Sequence, residues 1–542
     1  MFHLLEEACI VSELIGGHRG TDRRDRVPVA IVGGGPVGLS LALGLAHHGV
    51  RSVLVEKKVR TDARSRAPGI HLRTREILRR WGVEERLLAE GTLRESVELH
   101  TRSGRSLVSI DYSILDSEAD RPGVLFLEQA QTEQVLLDAV RASGLCEVRF
   151  ATEAVELEQD AERAVLTCRD GESLRTVEAD FVVGCDGAKS FTRRALCLPF
   201  EGSTYSIRAM LVDLRVDDDR DALPWPRIWN GSGGLTVAAH LPDGAWRLMH
   251  MERGRPDHDE EVGKPEVEQH MRRTLGAGAF EVEWASQFRL HQRAAPTYRV
   301  GRALLAGDAA HVHSPAGGLG MNAGIQDAHN LCWKLVTALH GGDAERLLAS
   351  YDVERRSVTA KDVTRQADLM TRGFLQTPAA LRMPLFWAVR RMLAVAPIRR
   401  ALLRRMTMIA LAYDKSPLLR PGCSAVGARL PNPLIARADG SRARLYDIAS
   451  DEPFLIHVAD RRREAVDTPL EVIRVGVDGY DEPAGLLRRI TGGQEGYILV
   501  RPDLHIAWVG QDHDDLDEIV QMALGTHPSA IIEPVGQQGR AR

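Results

Sequence analysis

A glycine-rich turn between a buried strand and a helix constrains the fold of this chain more than any other segment. Residues 27–32 (VPVAIV) form a continuous apolar run, which is typical of a strand buried on both faces of a parallel sheet. GGGPVG follows at 33–38, residues 39–48 are predicted to form a helix stopped by Gly49, and residues 50–56 a second strand. This order is that of a βαβ unit, so the chain is expected to contain a parallel α/β sheet.

The turn has the GxGxxG spacing of a dinucleotide-binding loop. Gly33 is expected to make the tight turn, Gly35 to admit a phosphate to the backbone, and Gly38 to let the helix pack on the strand. The helix N-terminus offers unpaired N–H groups to the anion. Glu56 ends the second strand, where an acid binds ribose hydroxyls, so the site suits FAD or NAD rather than NADP. A glycine-rich turn without a ligand is the alternative. The residues predicted to form this site are Gly33, Gly35, Pro36, Val37, Gly38, Glu56 and Lys57.

A second glycine-rich block, GDAAHVHSPAGGLGMNAGIQDAHN, occupies 307–330. A short buried strand at 302–306 brings Asp308 to its carboxyl end, where a carboxylate can accept from ribityl or ribose hydroxyls. A tight loop then precedes a helix predicted for about 322–340 and ended by two glycines. Backbone N–H groups at the start of this helix would stabilise negative charge on a reduced flavin. A flexible linker is the alternative. The predicted loop and amide residues are Pro315, Gly317, Gly318, Gly320, Met321 and Asn322.

A third block, VVGCDGAKSFTRR, occupies 182–194 and again ends a buried strand in an acid, Asp186, followed by Gly187. A simple turn explains such a DG pair equally well when it stands alone. Together with the other two blocks it indicates a third loop at the ligand-binding edge of the sheet.

The rest of the chain divides into strand-rich and helical regions. Residues 201–284 are strand-rich and predict a second sheet, and 371–413 are predicted to be helical, with Pro384 and Pro397 as breaks. Runs at 453–458 and 497–501 indicate a small α/β tail. Further strands are predicted at 147–151, 154–158, 164–168, 173–177 and 179–184, with a hairpin turn at 170–171. The helical region contains Arg390, Arg391, Arg399, Arg400, Arg404 and Arg405, which favour a face packed between domains over contact with anionic lipid.

Composition excludes several classes of protein. The net charge of -5 over 542 residues gives no bulk attraction to nucleic acid. Seven scattered cysteines without a CxxC argue against a disulfide framework, a zinc site or a dithiol redox centre, and fit a cytoplasmic protein. His311 and His313 lack a third ligand, so no metal is expected. Residues 1–26 do not resemble a signal peptide, and no apolar run is long enough to span a membrane.

The three blocks, in this order, resemble those of the FAD-dependent aromatic hydroxylases, the single-component flavoprotein monooxygenases typified by p-hydroxybenzoate hydroxylase. The resemblance extends from Val27 to about Tyr413. YDKSPL at 413–418 and LVRPDLHIAWVG at 499–510 are similar to the thioredoxin-like C-terminal domain of the phenol and aromatic polyketide hydroxylases, which is redox-silent and has a structural or oligomer-contact role. A homodimer is one expected assembly.

The resemblance implies further cofactor contacts. RSRAPGIHLRTREILRRWGV at 64–83 is similar to the segment whose arginines reach FAD phosphate or NAD(P)H, which implicates Arg64, Arg66 and Arg73. Gln129 matches the FAD-contacting Gln of the family. Asp186 matches the DG acid, implicated in FAD and pyridine-nucleotide binding, and Asp308 matches the GD acid.

The resemblance also implies the chemistry: NADPH or NADH reduces FAD, O₂ adds to the flavin, and a C4a-hydroperoxide hydroxylates a phenolic or aromatic polyketide substrate of secondary metabolism. The Asp that helps deprotonate phenol in some relatives is absent, because Pro68 precedes Gly69. Tyr205 and Tyr298 are expected to be packing residues. His71 is the candidate base, although an ordinary solvated or core-edge histidine explains it too.

The predicted fold class is α/β and α+β multidomain, with a Rossmann-like (glutathione-reductase-like) FAD-binding domain, a β-sheet substrate domain and a thioredoxin-like C-terminal domain. A Baeyer–Villiger-type oxygenase and a non-catalytic FAD-bound interaction or sensor protein remain alternatives; a flavin halogenase is disfavoured because no WxWxIP-like segment occurs. The predicted divisions are a leader (1–26), a first segment of the FAD-binding domain (27–200), the substrate sheet (201–284), a second segment of the FAD-binding domain (285–370), a helical connector (371–424) and the thioredoxin-like domain without CxxC (425–542).

Overall fold

The computed structural model describes residues 25–61, 69–101, 103, 105–216, 227–230, 234–240, 244–253, 264–275, 280–315, 317–375, 377, 379–460, 468–511 and 516–525. Arg64, Arg66 and the predicted leader, except its last two residues, lie outside these ranges. Within them, no helix combines the length and apolar character needed to cross a membrane.

The strands are β1 (Asp25–Val32), β2 (Ser52–Val55), β3 (Gly69–Ile70), β4 (Thr92–Arg94), β5 (Ser96–His100), β6 (Ser106–Asp111), β7 (Val124–Phe126), β8 (Cys146–Arg149), β9 (Thr152–Gln159), β10 (Ala164–Asp170), β11 (Ser173–Gly184), β12 (Glu201–Val216), β13 (Arg227–Asn230), β14 (Gly234–His240), β15 (Trp246–Arg253), β16 (Phe280–Ala294), β17 (Arg299–Val300), β18 (Ala303–Leu305), β19 (His311–Val312), β20 (Leu434–Ala436), β21 (Arg442–Arg444), β22 (Phe454–Ala459), β23 (Glu471–Gly476), β24 (Gly496–Val500) and β25 (Ile506–Gly510).

The helices are α1 (Pro36–His47), α2 (Leu72–Arg80), α3 (Glu84–Glu90), α4 (Gln129–Ser143), α5 (Phe191–Ala195), α6 (Lys264–Leu275), α7 (Leu319–Leu339), α8 (Ala344–Val358), α9 (Arg365–Leu375), α10 (Ala379–Leu393), α11 (Ala396–Met406), α12 (Leu445–Ile448), α13 (Leu486–Ile490) and α14 (Leu516–Leu524). A π-helical stretch, Thr359–Thr364, joins α8 to α9.

The first sheet has the order β17-β18-β11-β1-β2-β8, and β10 and β9 extend it from β11. β8, β2, β1, β11 and β18 run parallel, as the apolar runs in β1, β2 and β18 predict. Their carboxyl ends therefore share one edge. All three glycine-rich blocks follow strands that end at this edge, which is where open α/β sheets bind ligands.

The second sheet has the order β19-β16-β12-β15-β14-β13-β5-β6. It is not confined to 201–284, because β5 and β6 come from 96–111 and β16 continues to Ala294. α6 covers one face through Val267 and Met271, which pack with Trp246 and Leu248. The opposite face borders a cavity and also packs with α10 and α11, through Phe386 and Leu403.

The C-terminal region forms a separate four-stranded sheet with the order β23-β22-β24-β25. β22 and β23 are parallel, whereas β24 is antiparallel to both β22 and β25. Two apolar clusters cover its faces, one of them including α14. This region therefore has its own core.

Four buried charged residues join the C-terminal sheet to α7 and α8, and we call Lys334, Glu354, Arg501 and Asp503 the interdomain charge cluster. Lys334 Nζ donates to Glu354 Oε2 at 2.7 Å, and Arg501 reaches both Glu354 oxygens at 2.7 and 3.0 Å. Arg501 also donates to Asp503 at 2.5 and 3.0 Å. The two cations hold the pKa of Glu354 well below its usual range, despite complete burial. These buried ion pairs therefore link the C-terminal region to α7 and α8.

Several predicted elements have different limits. α1 begins at Pro36 rather than at 39, because proline suits the first helical turn. The strands predicted at 173–177 and 179–184 are one strand, β11, and its antiparallel hairpin with β10 across the 170–171 turn is confirmed. α7 begins at Leu319 rather than about 322, after Gly318 in the left-handed conformation (φ 65°), and it ends as predicted before Gly341.

The predicted helical region at 371–413 contains only one of the two predicted proline breaks. Pro397 lies in the first turn of α11, but Pro384 lies inside α10 and does not end it. Arg400 donates to the Ile114 carbonyl at 2.7 Å and lies 3.8 Å from Glu118. This contact supports packing between domains for a portion of the arginine-rich face.

Candidate active site

One cavity of about 890 Å³ lies between the carboxyl edge of the first sheet and the face of the second sheet opposite α6. It contains most of the residues that the sequence assigned to a cofactor, although they are scattered over the chain. Those lining it are Gly33, Gly35, Pro36, Val37, Glu56, Lys57, Gln129, Asp186, Asp308, Pro315, Gly317, Gly318, Gly320 and Met321.

The GxGxxG turn has the geometry that the spacing predicts. Gly33 has φ 109°, and a Cβ there would lie 2.5 Å from the Cys185 carbonyl oxygen. A Cβ on Gly38 would lie 2.0 Å from the Gly33 oxygen, so helix α1 can approach the turn only without a side chain. Nothing lies within 4 Å of a Cβ placed on Gly35, which borders the cavity. The turn is thus closed on the protein side and open on the cavity side.

Glu56 follows β2 and lies beside this turn. Its Oε2 accepts from the Gly34 backbone N–H at 2.7 Å, and its Oε1 accepts from Lys58 N–H at 2.9 Å. These bonds fix the carboxylate at the cavity edge, with lone pairs left for further donors.

Asp186 has an intramolecular role as well as a place on the cavity wall. Its Oδ1 accepts from Ser190 Oγ at 2.5 Å, and its Oδ2 accepts from the backbone N–H of Thr192 at 2.9 Å. The carboxylate therefore braces the start of α5. Ser190 in turn caps α5 by accepting from Arg193 N–H. These bonds are local, so the alternative of a simple turn accounts for some of the hydrogen bonds of Asp186.

Two helix N-termini face the same cavity, and neither has a side-chain cap. α1 starts directly after Gly35 in the sequence, and α7 starts directly after Gly318. Gly320 and Met321, in the first turn of α7, line the cavity. The first backbone N–H groups of a helix have no intrahelical partner and carry its positive dipole end, so both starts can bind anionic groups.

Asn322 and Arg73 do not line the cavity. Asn322 is at the fourth position of α7, where the backbone N–H is used within the helix. Its side chain instead accepts from His71 N–H at 2.8 Å and donates to Gly69 O at 2.9 Å. Arg73 is buried, donates to the Asp503 carbonyl at 2.7 Å and pairs with Glu76 at 3.2 Å. Arg73 thus contacts the C-terminal region, away from the cavity.

His71 lines the cavity and is buried, so it is not a solvated histidine. Its Nε2 lies 2.8 Å from the Gly317 carbonyl oxygen, and it must donate there because a carbonyl only accepts. Nδ1 is buried without a hydrogen-bond partner. Burial lowers the pKa of this ring, so the neutral form, with a free lone pair on Nδ1, is favoured.

The second sheet supplies an apolar wall that the sequence did not reveal. Leu235, Val237 and Ala239 of β14 and Met249 and Met251 of β15 alternate toward the cavity. Arg247 is the charged member of this face. On the other face Trp246, Leu248 and Ala238 are also apolar because α6 covers them, so polar–apolar alternation does not mark the cavity-facing residues along the whole of these strands. Further residues missed are Tyr112, His313, Met370 and Met406.

The two tyrosines considered for substrate activation do not line this cavity. Tyr205 Oη lies 2.8 Å from both Gln292 Oε1 and Asp368 Oδ1, which share its single O–H donor. Tyr298 is fully buried beside His311. Burial raises the pKa of Tyr112, which does line the cavity, to about 12. Tyr112 is therefore protonated at neutral pH.

Asp327 supports the loop that carries Asp308. It accepts from Gly307 N–H at 2.9 Å, lies 2.7 Å from His311 Nε2 and pairs with Arg355 at 2.6 Å. Arg355 and His311 lower the pKa of this buried acid to about 2. His311 thus contacts the buried carboxylate of Asp327 together with Arg355. Across the residues described, no group of three or more His, Cys, Asp or Glu side chains could hold a metal.

Two family models match most of this chain. Residues 26–367 match the FAD binding domain model, and residues 424–526 match the model of the aromatic-ring hydroxylase C-terminal domain. The fold and site define an FAD-dependent monooxygenase. The chain belongs to the FAD-dependent aromatic-ring hydroxylase family, as its sequence predicts.

The relatives cover almost the whole chain. Rifampicin monooxygenase of Streptomyces venezuelae is 32% identical over 505 residues, 90% of this chain and 96% of that protein. The structure of OxyS anhydrotetracycline hydroxylase from Streptomyces rimosus is 27% identical, with a TM-score of 0.77 over 93% of this chain and 100% of that one. The flavin-dependent monooxygenase PieE, solved with FAD and substrate, is 25% identical, with a TM-score of 0.75 over 92% of this chain and 99% of that one.

Proposed function

We propose that this enzyme uses FAD and NAD(P)H to hydroxylate a phenolic, multi-ring aromatic polyketide. The observation that carries the proposal is one continuous cavity with a polar end at two uncapped helix N-termini and an apolar end beneath the second sheet. The relatives that act on rifampicin and anhydrotetracycline support a substrate of this size.

FAD fits the polar end. We propose that its pyrophosphate lies over Gly35, Pro36 and Val37, where the helix dipole favours an anion and the glycine leaves space. Glu56 would accept from the ribose hydroxyls, with Lys57 beside it, and Asp308 would accept from the ribityl chain. Gln129, Asp186 and the loop residues Pro315, Gly317, Gly318, Gly320 and Met321 would border the rest of the cofactor. From the family resemblance we also propose that Arg64 and Arg66 contact FAD phosphate or NAD(P)H.

Bound FAD, once reduced by NADPH or NADH, supplies activation of O₂. The protein's own task is to hold an aromatic ring beside the flavin and to keep water away. The apolar wall of the second sheet serves both purposes. Met249, Met251, Met370 and Met406 add flexible side chains that adapt to different ring systems.

We propose His71 as the acceptor of the phenolic proton. His71 lines the cavity and its buried Nδ1 has an unpartnered lone pair; proton transfer to that nitrogen would leave an electron-rich phenolate. His71→Asn should lower kcat by about 100-fold for a phenol that is neutral at the assay pH. It should have much less effect on a p-nitrophenol-type substrate that is already ionised.

His313→Asn is the matched control, because His313 lines the same cavity and burial also lowers its pKa, to about 4. An equal loss of kcat for the neutral and the ionised phenol in His71→Asn would assign His71 a purely structural role.

We propose that the C-terminal region is a thioredoxin-like domain without redox function. Its mixed sheet order and its lack of CxxC support this. We also propose that the chain has the six divisions predicted from its sequence, forms a homodimer and lies in the cytoplasm. The six cysteines in the described ranges are free thiols, which suits a reducing compartment.

The experiment that tests the function begins with the purified yellow holoenzyme. NADPH and NADH oxidation are measured with phenols and hydroxyanthraquinones, and products are identified by mass and NMR. A new C–OH supports hydroxylation, whereas an inserted ester oxygen would establish the Baeyer–Villiger alternative. No stimulation by any aromatic compound would favour a non-catalytic FAD-bound protein.

A further inference from the structure

Arg247 places a buried cation on the apolar wall of the cavity. It lies on β15 on the same face as Met249 and Met251, and its side chain is 5% exposed. A charged group in such a wall is costly unless it is paired, so its hydrogen bonds show what it can still bind.

Asp213 uses two of the three guanidinium nitrogens. Arg247 Nε donates to Asp213 Oδ1 at 2.7 Å, and Nη2 donates to Oδ2 at 2.7 Å. The two residues face each other across β12 and β15, which holds this bidentate pair in place. The third nitrogen, Nη1, is buried without a hydrogen-bond partner. Arg247 therefore lines the cavity wall and keeps one buried guanidinium nitrogen whose N–H groups have no acceptor.

We propose that Arg247 Nη1 binds a neutral carbonyl or quinone oxygen of the substrate. The inference rests on the proposed function, since it assigns a specificity residue to that same cavity. Asp213 already balances the charge of Arg247, so the pair favours a neutral acceptor over a carboxylate, which would also face Asp213. A buried donor left unpaired is costly, so the site selects against substrates that lack this oxygen.

The register of the sheet indicates where this oxygen lies. β19, which precedes the glycine-rich loop before α7, pairs with β16 at Arg293, and Arg293 faces Gly202 of β12. Arg247 faces Asp213, much farther along the same strand. The oxygen that binds Arg247 thus belongs to a part of the substrate away from the glycine-rich loop, which favours an extended, multi-ring substrate.

The test measures binding of three probes to the FAD holoenzyme through changes in flavin absorbance. The probes are 2-hydroxyanthraquinone, 2-anthrol, which lacks the two carbonyls, and anthraquinone-2-carboxylate. In Arg247→Lys, which keeps the charge but loses the fork, affinity for 2-hydroxyanthraquinone should fall about 10- to 100-fold, and affinity for 2-anthrol by less than about 3-fold. The carboxylate probe should bind the wild type no more tightly than 2-hydroxyanthraquinone.

Two further variants guard against misfolding. Arg247→Met combined with Asp213→Leu removes both charges together and should show the same loss of discrimination. Arg215→Lys alters an exposed pair with Glu283 on the same sheet and should bind all probes like the wild type.

Equal losses for the quinone and for 2-anthrol, unchanged affinity in both Arg247 variants, tighter carboxylate binding, or no binding of any probe would each overturn the inference. The proposed function fails separately, if the wild type hydroxylates no member of the wider panel of aromatic compounds.

Discussion

Gly35 and Gly38 stand three residues apart and have opposite surroundings. A methyl group on Gly38 would collide with the Gly33 carbonyl oxygen, whereas one on Gly35 would meet no protein atom within 4 Å. Gly35 also has φ -78°, which any residue adopts. One glycine is thus required by the fold, and the other leaves room for a ligand.

Gly35→Ala should therefore leave the apoprotein almost unchanged, within about 1 kcal/mol, and weaken FAD binding by at least about 10-fold. Gly38→Ala should destabilise the apoprotein itself. Chemical denaturation of the apoproteins and FAD titration by fluorescence quenching measure the two effects. Normal FAD affinity in Gly35→Ala would show that the pyrophosphate does not bind at Gly35.

Helix α2 shows at the scale of an element how a motif match can mislead. The arginine-rich segment suggested cofactor contacts for Arg73, but the helix turns this side chain toward Asp503 in the C-terminal region. Glu76, one turn on, pairs with Arg73 at 3.2 Å and accepts from Arg429 Nε at 2.8 Å. α2 therefore connects the cavity wall, through His71 at its start, to the tail.

Arg73→Met should lower the free energy of unfolding by about 1–3 kcal/mol, because Glu76 keeps Arg429 as a partner. Glu76→Leu strands two buried guanidinium groups and should cost more, about 3–5 kcal/mol. FAD affinity measured on the folded variants should stay at the wild-type value. A selective loss of FAD in Arg73→Met would restore the cofactor role that the sequence suggested.

Local signals in the sequence predicted the first sheet, since strand, turn and helix lie within 27–56 and the 170–171 turn lies between its own two strands. The second sheet needed pairings between distant segments, such as Arg227 beside His100, which no local pattern contains. Arg247 was missed because Trp246 and Leu248 on one face of β15 are as apolar as Met249 and Met251 on the other. The start of α7 was placed too late because glycines lower helix propensity, although Gly318 makes a suitable left-handed cap.

For the molecule as a whole, buried and half-buried histidines predict an acid-sensitive fold. Burial lowers the pKa of His48, His250 and His313 to about 4 in each case. Above pH 6.5 these rings are neutral whether the chain is folded or unfolded. Between about pH 6.5 and 4 the unfolded chain binds more protons, so stability is lost as the pH falls.

The Tm of the holoenzyme should fall from pH 7 to pH 5, before most carboxylates titrate, with each fully buried histidine contributing up to about 1.4 kcal/mol per pH unit. His250→Gln should flatten this dependence, because His250 is buried beside Thr236 and His270. Thermal scans across pH, with His240→Gln as the control from the same sheet, measure it. A Tm that stays constant over this range would contradict the effect of burial.

The interdomain charge cluster has a consequence for recombination among relatives. Lys334 and Glu354 lie on one side of the boundary near residue 424, and Arg501 and Asp503 on the other. A chimera that takes its tail from another family member inherits two halves of a buried ionic arrangement from different parents. Such chimeras should fold only when all four positions come from the same parent. The C-terminal region is therefore not freely interchangeable between family members.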